Sequence, residues 1–289
     1  MNQLLADLIR LLELERLEMN LFRGESRDIG SPQVYGGQVL GQALKAAYAT
    51  VEPERRAHSL HAYFLRRGDF NAPIVYFVDR SRDGHSFTSR RVTALQHGEQ
   101  IFHLSASFQL EEEGLQHQLE MPPVPPPESL DPAVPFGAEA IAHFPERLRQ
   151  KYMRERPFEF RVVPPQLAGG AGGAPHQYFW LRTVDRLPDD DVLHRCLLAY
   201  VSDFHLLSTA LLPHEAQAPR GRLVVASIDH AMWFHWPLRV DDWLLYATDS
   251  PSASGARGFA RGSLYTRAGR LVASTVQEGL LRLLPPTGA

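Results

Sequence analysis

The chain has 289 residues, of which 44% are hydrophobic and 22% are charged, a mixture typical of a soluble globular protein with enough material for one large domain or two smaller ones. Its formal net charge of -3 gives no electrostatic reason to expect a nucleic-acid partner. No apolar run approaches the length of a membrane span, and the single cysteine, Cys196, excludes an internal disulfide and fits a reducing cytoplasm.

The N-terminal region predicts a helix that runs into a strand. Residues 1–22 interleave acidic side chains with Leu and Ile, which is untypical of a signal peptide and typical of an amphipathic helix. Gly36 and Gly37 then precede a second helix candidate at residues 38–50. Glycines allow close backbone approach and leave free N–H groups at a helix N-terminus, so both are candidate substrate-binding residues for a carbonyl oxygen or oxyanion. A tight turn that needs positive φ is the simpler interpretation of the pair.

Several short segments rich in β-branched and aromatic residues follow, separated by Asp-Gly and His-Gly turn signals, and they predict strands. His58 opens the first of these strands, whose counterpart later in the chain contains Ser227, and it is a third candidate substrate-binding residue. His58 and His61 are three positions apart, which in a strand places them on opposite faces. Because no other histidine or cysteine spacing is typical of a zinc site, no metal is expected.

A proline-rich stretch from Met121 to Pro135 forms the obvious break in the chain. Proline at this density cannot donate ladder hydrogen bonds and favours extended geometry. We therefore predict a first unit at residues 1–120, a linker with a short helix at residues 121–156 and a second unit at residues 157–289.

The two units look like distant copies of each other. Asp79 and Asp249 lie 170 positions apart in similar strands, and Gln109 and Gln277 lie 168 positions apart. A near-constant offset over several strands indicates duplication. Each copy reads as a strand, a long helix and several further strands, which predicts a repeated α+β unit with its helix on an antiparallel sheet. The glycine run at residues 169–173 lacks the Lys-Ser/Thr pair of a phosphate-binding loop and predicts a flexible loop.

Asp203 is the sharpest functional candidate, because it is the only Asp, Glu, Lys or Arg between Cys196 and Pro213. The length and apolar density of this run predict a mostly buried helix, entered through residues 189–191 and ended by Pro213. A buried charge costs several kcal/mol unless it is paired or hydrogen-bonded, so this carboxylate needs partners. It is either part of an active site or a structural group that ties a loop to the helix.

Two further polar side chains lie in apolar segments, Ser227 in the sequence ASIDHAMWFH and Gln277 in ASTVQEG. A buried hydroxyl and a buried amide also need partners. With Asp203 they form a set of one carboxylate, one hydroxyl and one amide on three elements, which is able to hold and activate a water molecule. No G-x-S-x-G motif is present, so the chain is not expected to be an α/β-hydrolase.

Six segments together resemble the acyl-CoA thioesterase II family, TesB-like bacterial enzymes with a double-hotdog fold. They are GGQVLGQAL, HSLHAYFLRRGD, DGHSFTSRRV, YVSDFHLL, ASIDHAMWFH and ASTVQEG, in the expected order across nearly the whole chain. The resemblance implies two hotdog units, each a sheet wrapped around a central helix. It also implies hydrolysis of medium- or long-chain fatty acyl-CoA to fatty acid and CoA without a cofactor, in a homo-oligomer such as a dimer or tetramer.

The resemblance also implies roles for the candidate residues. The Asp, Thr and Gln of the family that activate water correspond to Asp203, Ser227 and Gln277, and serine keeps the hydroxyl but loses the methyl group that restricts χ1. Asp203 is then the general base, Ser227 and Gln277 orient the water, and N–H groups near Gly37 receive the oxyanion.

The chain departs from the family pattern at two further positions, with His205 in place of Asn and Trp236 in place of Arg. These differences concern the preference for substrates rather than the type of reaction. Two rival functions follow from other classes. A hotdog hydratase or dehydratase acts on enoyl-CoA or hydroxyacyl-CoA through an Asp-His pair, for which Asp203 and His205 are the candidates. A non-catalytic acyl-CoA-binding module binds the same ligand without turnover.

Overall fold

The computed structural model describes residues 1–30, 33–132, 156–168, 174–214 and 223–285. Its described strands form one 13-stranded sheet in which every pairing is antiparallel. The described helices are α1 (Gln3–Leu12), α2 (Gly36–Tyr48) and α3 (Asp191–Ser202). The strands are β1 (Glu15–Glu18), β2 (Leu21–Gly24), β3 (Arg56–Phe64), β4 (Ile74–Asp83), β5 (Phe87–Gln96), β6 (Glu99–Gln109), β7 (Phe158–Val162), β8 (His176–Thr183), β9 (Leu223–Ser227), β10 (Asp229–Phe234), β11 (Leu244–Ser254), β12 (Arg257–Thr266) and β13 (Leu271–Leu283).

The order of strands in the sheet confirms the predicted duplication. It runs β1-β2-β4-β5-β6-β3-β10-β13-β12-β11-β8-β7, with β9 paired to the far end of β13. Each strand of the first half therefore has a counterpart at the mirrored place in the second half, and β3 pairs with β10 where the halves meet. The strands of the two halves thus join edge to edge in one sheet around two central helices. This is the α+β double-hotdog fold expected from the sequence.

The helices α2 and α3 pack against each other inside the curved sheet, in opposite directions. A Cβ atom at Gly41 would lie 3.0 Å from the carbonyl oxygen of Cys196, and one at Gly37 would overlap the carbonyl oxygen of Tyr200. Gly37 and Gly41 are thus needed for close helix packing, and neither Gly36 nor Gly37 has the positive φ of a tight turn. Because the helices run in opposite directions, the N-terminus of α2 meets the C-terminus of α3.

The helix α1 is amphipathic, as predicted from the alternation of acidic and aliphatic residues. Asn2 caps it by accepting hydrogen bonds from the N–H groups of Leu4 and Leu5, at 2.9 and 3.4 Å. Its buried face contributes leucines to the main core and, on the side toward α3, to a cavity described below. The strand predicted to follow this helix is β1.

The prediction of one helix from Cys196 to Pro213 is wrong. The helix α3 starts after its capping residue Asp190 and ends at Ser202, and Asp203 occupies the C-cap position. His205 then adopts φ +63°, which stops helical geometry, and a 3₁₀ segment from Leu207 to His214 contains Pro213. Asp203 therefore lies at the end of a helix rather than within one.

In contrast to the expectation from the sequence, one helical segment among the described residues, Asp191–His214, is long and apolar enough by composition to cross a membrane. Within its most apolar window 61% is buried inside the fold, as in the core helix of a folded domain. Cys196 lies in this segment, and burial raises the pKa of its thiol to about 12, so the thiol is a packing group.

The described part of the proline-rich segment covers the outer face of the second half of the sheet. Met121, Val124 and Leu130 pack in a small cluster with Trp180, whose indole N–H donates to the carbonyl of Pro125 at 2.9 Å. The predicted short helix of this linker and the glycine run at residues 169–173 fall outside the described residues, apart from a 3₁₀ turn at Pro127–Ser129. The unit boundaries at residues 120 and 157 stay a prediction.

Close packing of the two central helices predicts that Gly37→Ala destabilises the protein. The added methyl group would overlap the Tyr200 carbonyl, which the Tyr35 hydroxyl holds at 2.9 Å, so the neighbour cannot move aside. Overpacking of this kind costs about 1–3 kcal/mol, more than the ~0.5–1 kcal/mol that alanine gains over glycine in a helix. Denaturant unfolding measures the loss.

Gly114→Ala is the matched control, because nothing lies within 4 Å of a Cβ atom at Gly114. Its free energy of unfolding should stay close to that of the parent. Equal stability of the Gly37 and Gly114 variants would contradict the close helix contact.

Candidate active site

The end of α3 is fixed by two tyrosine hydroxyls. A helix C-terminus leaves carbonyl groups without partners inside the helix. The hydroxyl of Tyr35 donates to the carbonyl of Tyr200 at 2.9 Å, and that of Tyr246 donates to the carbonyl of Ser202 at 2.9 Å. These two bonds hold the last turn of α3 in place, and Asp203 comes directly after it.

The Asp203 carboxylate faces the N-terminus of α2. The N–H of Gly37 hydrogen-bonds with it, and a Cβ atom at Gly36 would lie 2.7 Å from its Oδ2. An anion is stabilised at a helix N-terminus, both by the N–H groups and by the helix dipole. The Gly37 N–H is therefore occupied by Asp203, in contrast to the expectation that it is free to receive an oxyanion.

Gln277 and Ser227 meet because the strand partner of β13 changes along its length. Ser227 ends β9 and pairs with Gly279, whereas Ala231 of β10 pairs with Val276. Between these pairs the β9–β10 segment bulges, because it has one residue more than β13. Here the carboxylate of Asp229 accepts the N–H of Glu278 at 2.6 Å in place of a ladder bond. The side chain of Gln277 lies at this interruption, on the side of α3.

The three predicted catalytic side chains are brought together by one amide. The Nε2 atom of Gln277 donates to Oδ1 of Asp203 at 2.7 Å and to Oγ of Ser227 at 3.1 Å. Within the described residues, no hydrogen bond joins Ser227 to Asp203, so the carboxylate does not abstract the serine proton directly. The geometry thus offers a carboxylate base and a hydroxyl whose own proton is free to bind a ligand or water.

Burial raises the pKa of Asp203 above its ordinary value, against the opposing effect of the hydrogen bonds from Gln277 and Gly37. A carboxylate that is partly desolvated is a stronger base than one in water. The two hydrogen bonds stabilise the charged form and so limit the rise in pKa. This balance suits a group that accepts a proton during turnover.

A cavity of about 560 Å³ opens beside Asp203. Its wall is mostly apolar and comes from α1, β7 and the turn after α3, with Leu4, Leu8, Leu11, Phe158, Phe160 and Phe204 among the lining side chains. His205 also lines it, with its ring centroid 5.8 Å from that of Phe160 and 5.5 Å from that of Phe179. Burial lowers the pKa of His205 to about 4, so the ring is neutral at pH 7.

A second, smaller cavity of about 70 Å³ reaches the site from another side. Gly36 and Ser227 line it together with Arg66 and Arg67. Arg66 is held by Glu99 at 3.0 Å and by the carbonyl of Gln100 at 2.7 Å. Arg67 is exposed and forms no ion pair with any residue in the described ranges. The trio of Asp203, Ser227 and Gln277 therefore lies between an apolar cavity and a polar cavity that arginines line.

His58, the third predicted substrate-binding residue, is not brought to the trio. It lies six residues before Phe64 on β3, and Phe64 is the residue that packs at Gly36. At about 3.3 Å per residue, this places His58 about 20 Å along the strand from the site. Its Nε2 lies 2.8 Å from the hydroxyl of Ser107, in a different cleft that Trp236 also lines.

Three residues at the site were missed by sequence reasoning, namely Tyr35, Tyr246 and His230. Tyr246 lies 170 positions after Tyr76, and both tyrosine hydroxyls bond to a central helix, so the duplication offset is a signal that could have found it. His230 lies directly behind Gln277, and although it belongs to the segment ASIDHAMWFH, no role was predicted for it. Nothing in the sequence connects Tyr35 to α3.

Family models match both halves of the chain. Residues 23–109 match the acyl-CoA thioesterase N-terminal domain, and residues 147–280 match acyl-CoA thioesterase. The acyl-CoA thioesterase 2 of Haemophilus influenzae is 43% identical over 283 residues, which cover 98% of this chain and 99% of that protein. The acyl-coenzyme A thioesterase 8 of Mus musculus is 43% identical over 289 residues, with 95% and 88% covered.

Solved structures agree with these matches. The crystal structure of an acyl-CoA thioesterase II, TesB2, from Mycobacterium marinum has a TM-score of 0.82 and 43% identity, covering 98% of this chain and 99% of that one. A hot dog fold protein from Alicyclobacillus acidocaldarius, at 21% identity and a TM-score of 0.76, supports the fold alone.

Proposed function

This chain belongs to the acyl-CoA thioesterase family and is a thioester hydrolase, and we propose that it cleaves medium- and long-chain fatty acyl-CoA with a water molecule activated by Asp203, Ser227 and Gln277. The observation that carries the proposal is the amide of Gln277, which bonds to the carboxylate and the hydroxyl at once, between the two cavities. Sequence resemblance gives the same three residues, with serine in place of threonine.

Asp203 acts as general base. It accepts one proton from the water as the water oxygen attacks the thioester carbonyl carbon, and the tetrahedral intermediate then expels CoA as a thiolate. Protonated Asp203 gives its proton to the thiolate, which returns the base to its charged form and leaves a fatty acid and CoA as products. Ser227 and Gln277 hold the water in line for attack. Because Ser227 accepts from Gln277 and has no hydrogen bond to Asp203 among the described residues, we assign it to orienting water rather than to forming an acyl-serine.

The carbonyl oxygen of the substrate is assigned to the N–H of Gly36. This group is the first of α2, lines the smaller cavity and donates to no other described residue. A free N–H at a helix N-terminus suits a developing oxyanion, and loss of such a donor costs about 10²–10³ in turnover. Gly37 supports the same step indirectly, since its N–H fixes the base.

The two cavities orient the substrate across the trio. The apolar cavity of about 560 Å³ is within the usual size range of ligand sites, and its leucine and phenylalanine walls suit the methylene chain of a fatty acyl group. The smaller cavity leads from Ser227 to Arg66 and Arg67. CoA carries phosphate groups, so it is assigned to the side where these guanidinium groups lie.

We expect Asp203→Asn to lower kcat at least about a hundredfold, because general base catalysis supplies about 10²–10⁴. Asparagine has the same shape and keeps one acceptor oxygen for the N–H groups of this site, so the fold should persist, as circular dichroism would show. Ser227→Ala should be milder, since it removes a group that orients water. Thiol release from a panel of saturated acyl-CoA substrates measures both effects and the chain-length preference.

Unchanged turnover in Asp203→Asn would place the active site elsewhere. A larger loss in Ser227→Ala than in Asp203→Asn would identify serine as a nucleophile. Conversion of an enoyl-CoA to its hydroxyacyl product without thiol release would favour the hydratase alternative.

A second prediction concerns the CoA side of the site. Arg67→Ala should raise KM for acyl-CoA about fivefold with kcat unchanged, since an exposed charge contact is worth up to about 1 kcal/mol. The KM for an acyl-pantetheine thioester, which has no phosphate groups, should not change.

Arg267→Ala is the control, because Arg267 is an exposed arginine that pairs with Glu128 away from both cavities. An equal rise in KM for both thioesters in Arg67→Ala would mean that Arg67 does not bind the phosphate groups.

A further inference from the structure

His230 lies directly behind the trio and is fully enclosed by the protein. On one side its Nε2 atom lies 3.0 Å from the hydroxyl of Ser202, and on the other its Nδ1 atom lies 3.4 Å from Nε2 of Gln277. Only 1% of its surface is exposed, so it cannot contact substrate. A chain of polar contacts thus runs from the last turn of α3 through His230 to Gln277 and Asp203.

The protons of this chain can be assigned from its ends. The hydroxyl of Ser202 donates to the carbonyl of Ala199 at 3.0 Å, so its lone pairs accept from Nε2–H of His230. Burial lowers the pKa of His230 to about 3, so the ring is neutral and carries a single N–H. With that proton on Nε2, the Nδ1 atom presents a lone pair to Gln277.

A lone pair at this place decides which way the Gln277 amide points. An amide can turn over and exchange its oxygen and nitrogen with little change in shape. Turned over, its oxygen would face both the Asp203 carboxylate and the lone pair of His230. In the observed orientation the nitrogen faces both groups, and because its two protons are directed at Asp203 and Ser227, the 3.4 Å contact with Nδ1 of His230 shares one of them. Oε1 of Gln277 is buried and has no partner among the described residues. In the turned-over orientation the amide oxygen would face two acceptors, so the contacts on the nitrogen side favour the observed orientation.

We propose that His230 is a positioning residue, which holds the nitrogen of Gln277 toward Asp203 and Ser227 and thereby fixes the water-binding geometry. The inference rests on the proposed function of the trio. It goes beyond it by adding a fourth side chain that never touches substrate. His230 is presented by β10 one residue after Asp229, whose carboxylate accepts the N–H of Glu278 where β9 passes into β10.

The test is a set of variants measured with saturated acyl-CoA. His230→Leu keeps the bulk and removes the lone pair, so kcat should fall about 10- to 100-fold, the size of effect expected from a small misplacement of reacting groups. KM should change little, because the residue is behind the site. His230→Asn, whose amide oxygen is able to take the place of Nδ1, should restore most of kcat.

His235→Leu is the matched control. His235 follows the same strand and has the same kind of contact, with Nε2 2.9 Å from the hydroxyl of Ser274, but it points away from the trio. Its kcat should equal that of the wild type. A loss as large as that of His230→Leu would mean that any such change near β10 lowers activity, and would overturn the proposal.

A double-mutant cycle separates positioning from a merely structural role. In the background of Gln277→Ala, His230→Leu should cause no further loss of kcat, because there is no amide left to orient. Additive losses would overturn the proposal, as would a folded His230→Asn no more active than His230→Leu. If Asp203→Asn were fully active, the proposed function itself would fail. The coupling between His230 and Gln277 would still be measured separately.

Discussion

The structure of the site depends on one contact, the Asp203 carboxylate held between the ends of two antiparallel helices. At the C-cap of α3 this charge is unfavourable for its own helix, and at the N-terminus of α2 it is stabilised by the N–H of Gly37. The contact requires glycine at the start of α2, since any side chain there would collide with α3. Helix packing and the placement of the base are therefore one constraint.

Both halves of the chain contain a sheet with a central helix, but Asp203, Ser227 and Gln277 all lie in the second half. Tyr76 and Tyr246 occupy matching strands and both bond to a central helix. At the C-terminal end of α2, however, the space beside the helix end is filled by the guanidinium of Arg90, which donates to Thr50 at 2.9 Å. Among the described residues, the side chain of Gln109, the counterpart of Gln277, bonds only to the exposed Glu112. A buried structural cation thus lies in one half, and the buried anion that we propose as the base lies in the other.

Much of this arrangement could be predicted from the chain itself. The offset between the halves predicts the symmetric sheet, and single polar residues in apolar segments point to Asp203, Ser227 and Gln277, which the structure brings together. The end of α3 could not be predicted, because the hydroxyls that hold its carbonyls are remote in sequence. The need for glycine at position 37 could not be predicted either, because it comes from a contact with the remote carbonyl of Tyr200. His58 was selected from strand order, which does not say which end of a strand faces the site.

The pH dependence of kcat/KM tests the role of Asp203 most directly, since it reports the ionisation of the free enzyme. A base must be deprotonated to act, so activity should fall about tenfold per pH unit below the pKa of Asp203, which burial raises above the ordinary aspartate value. The residual activity of Asp203→Asn should lack this acid limb. The same limb in wild type and Asp203→Asn would contradict the assignment of the general base.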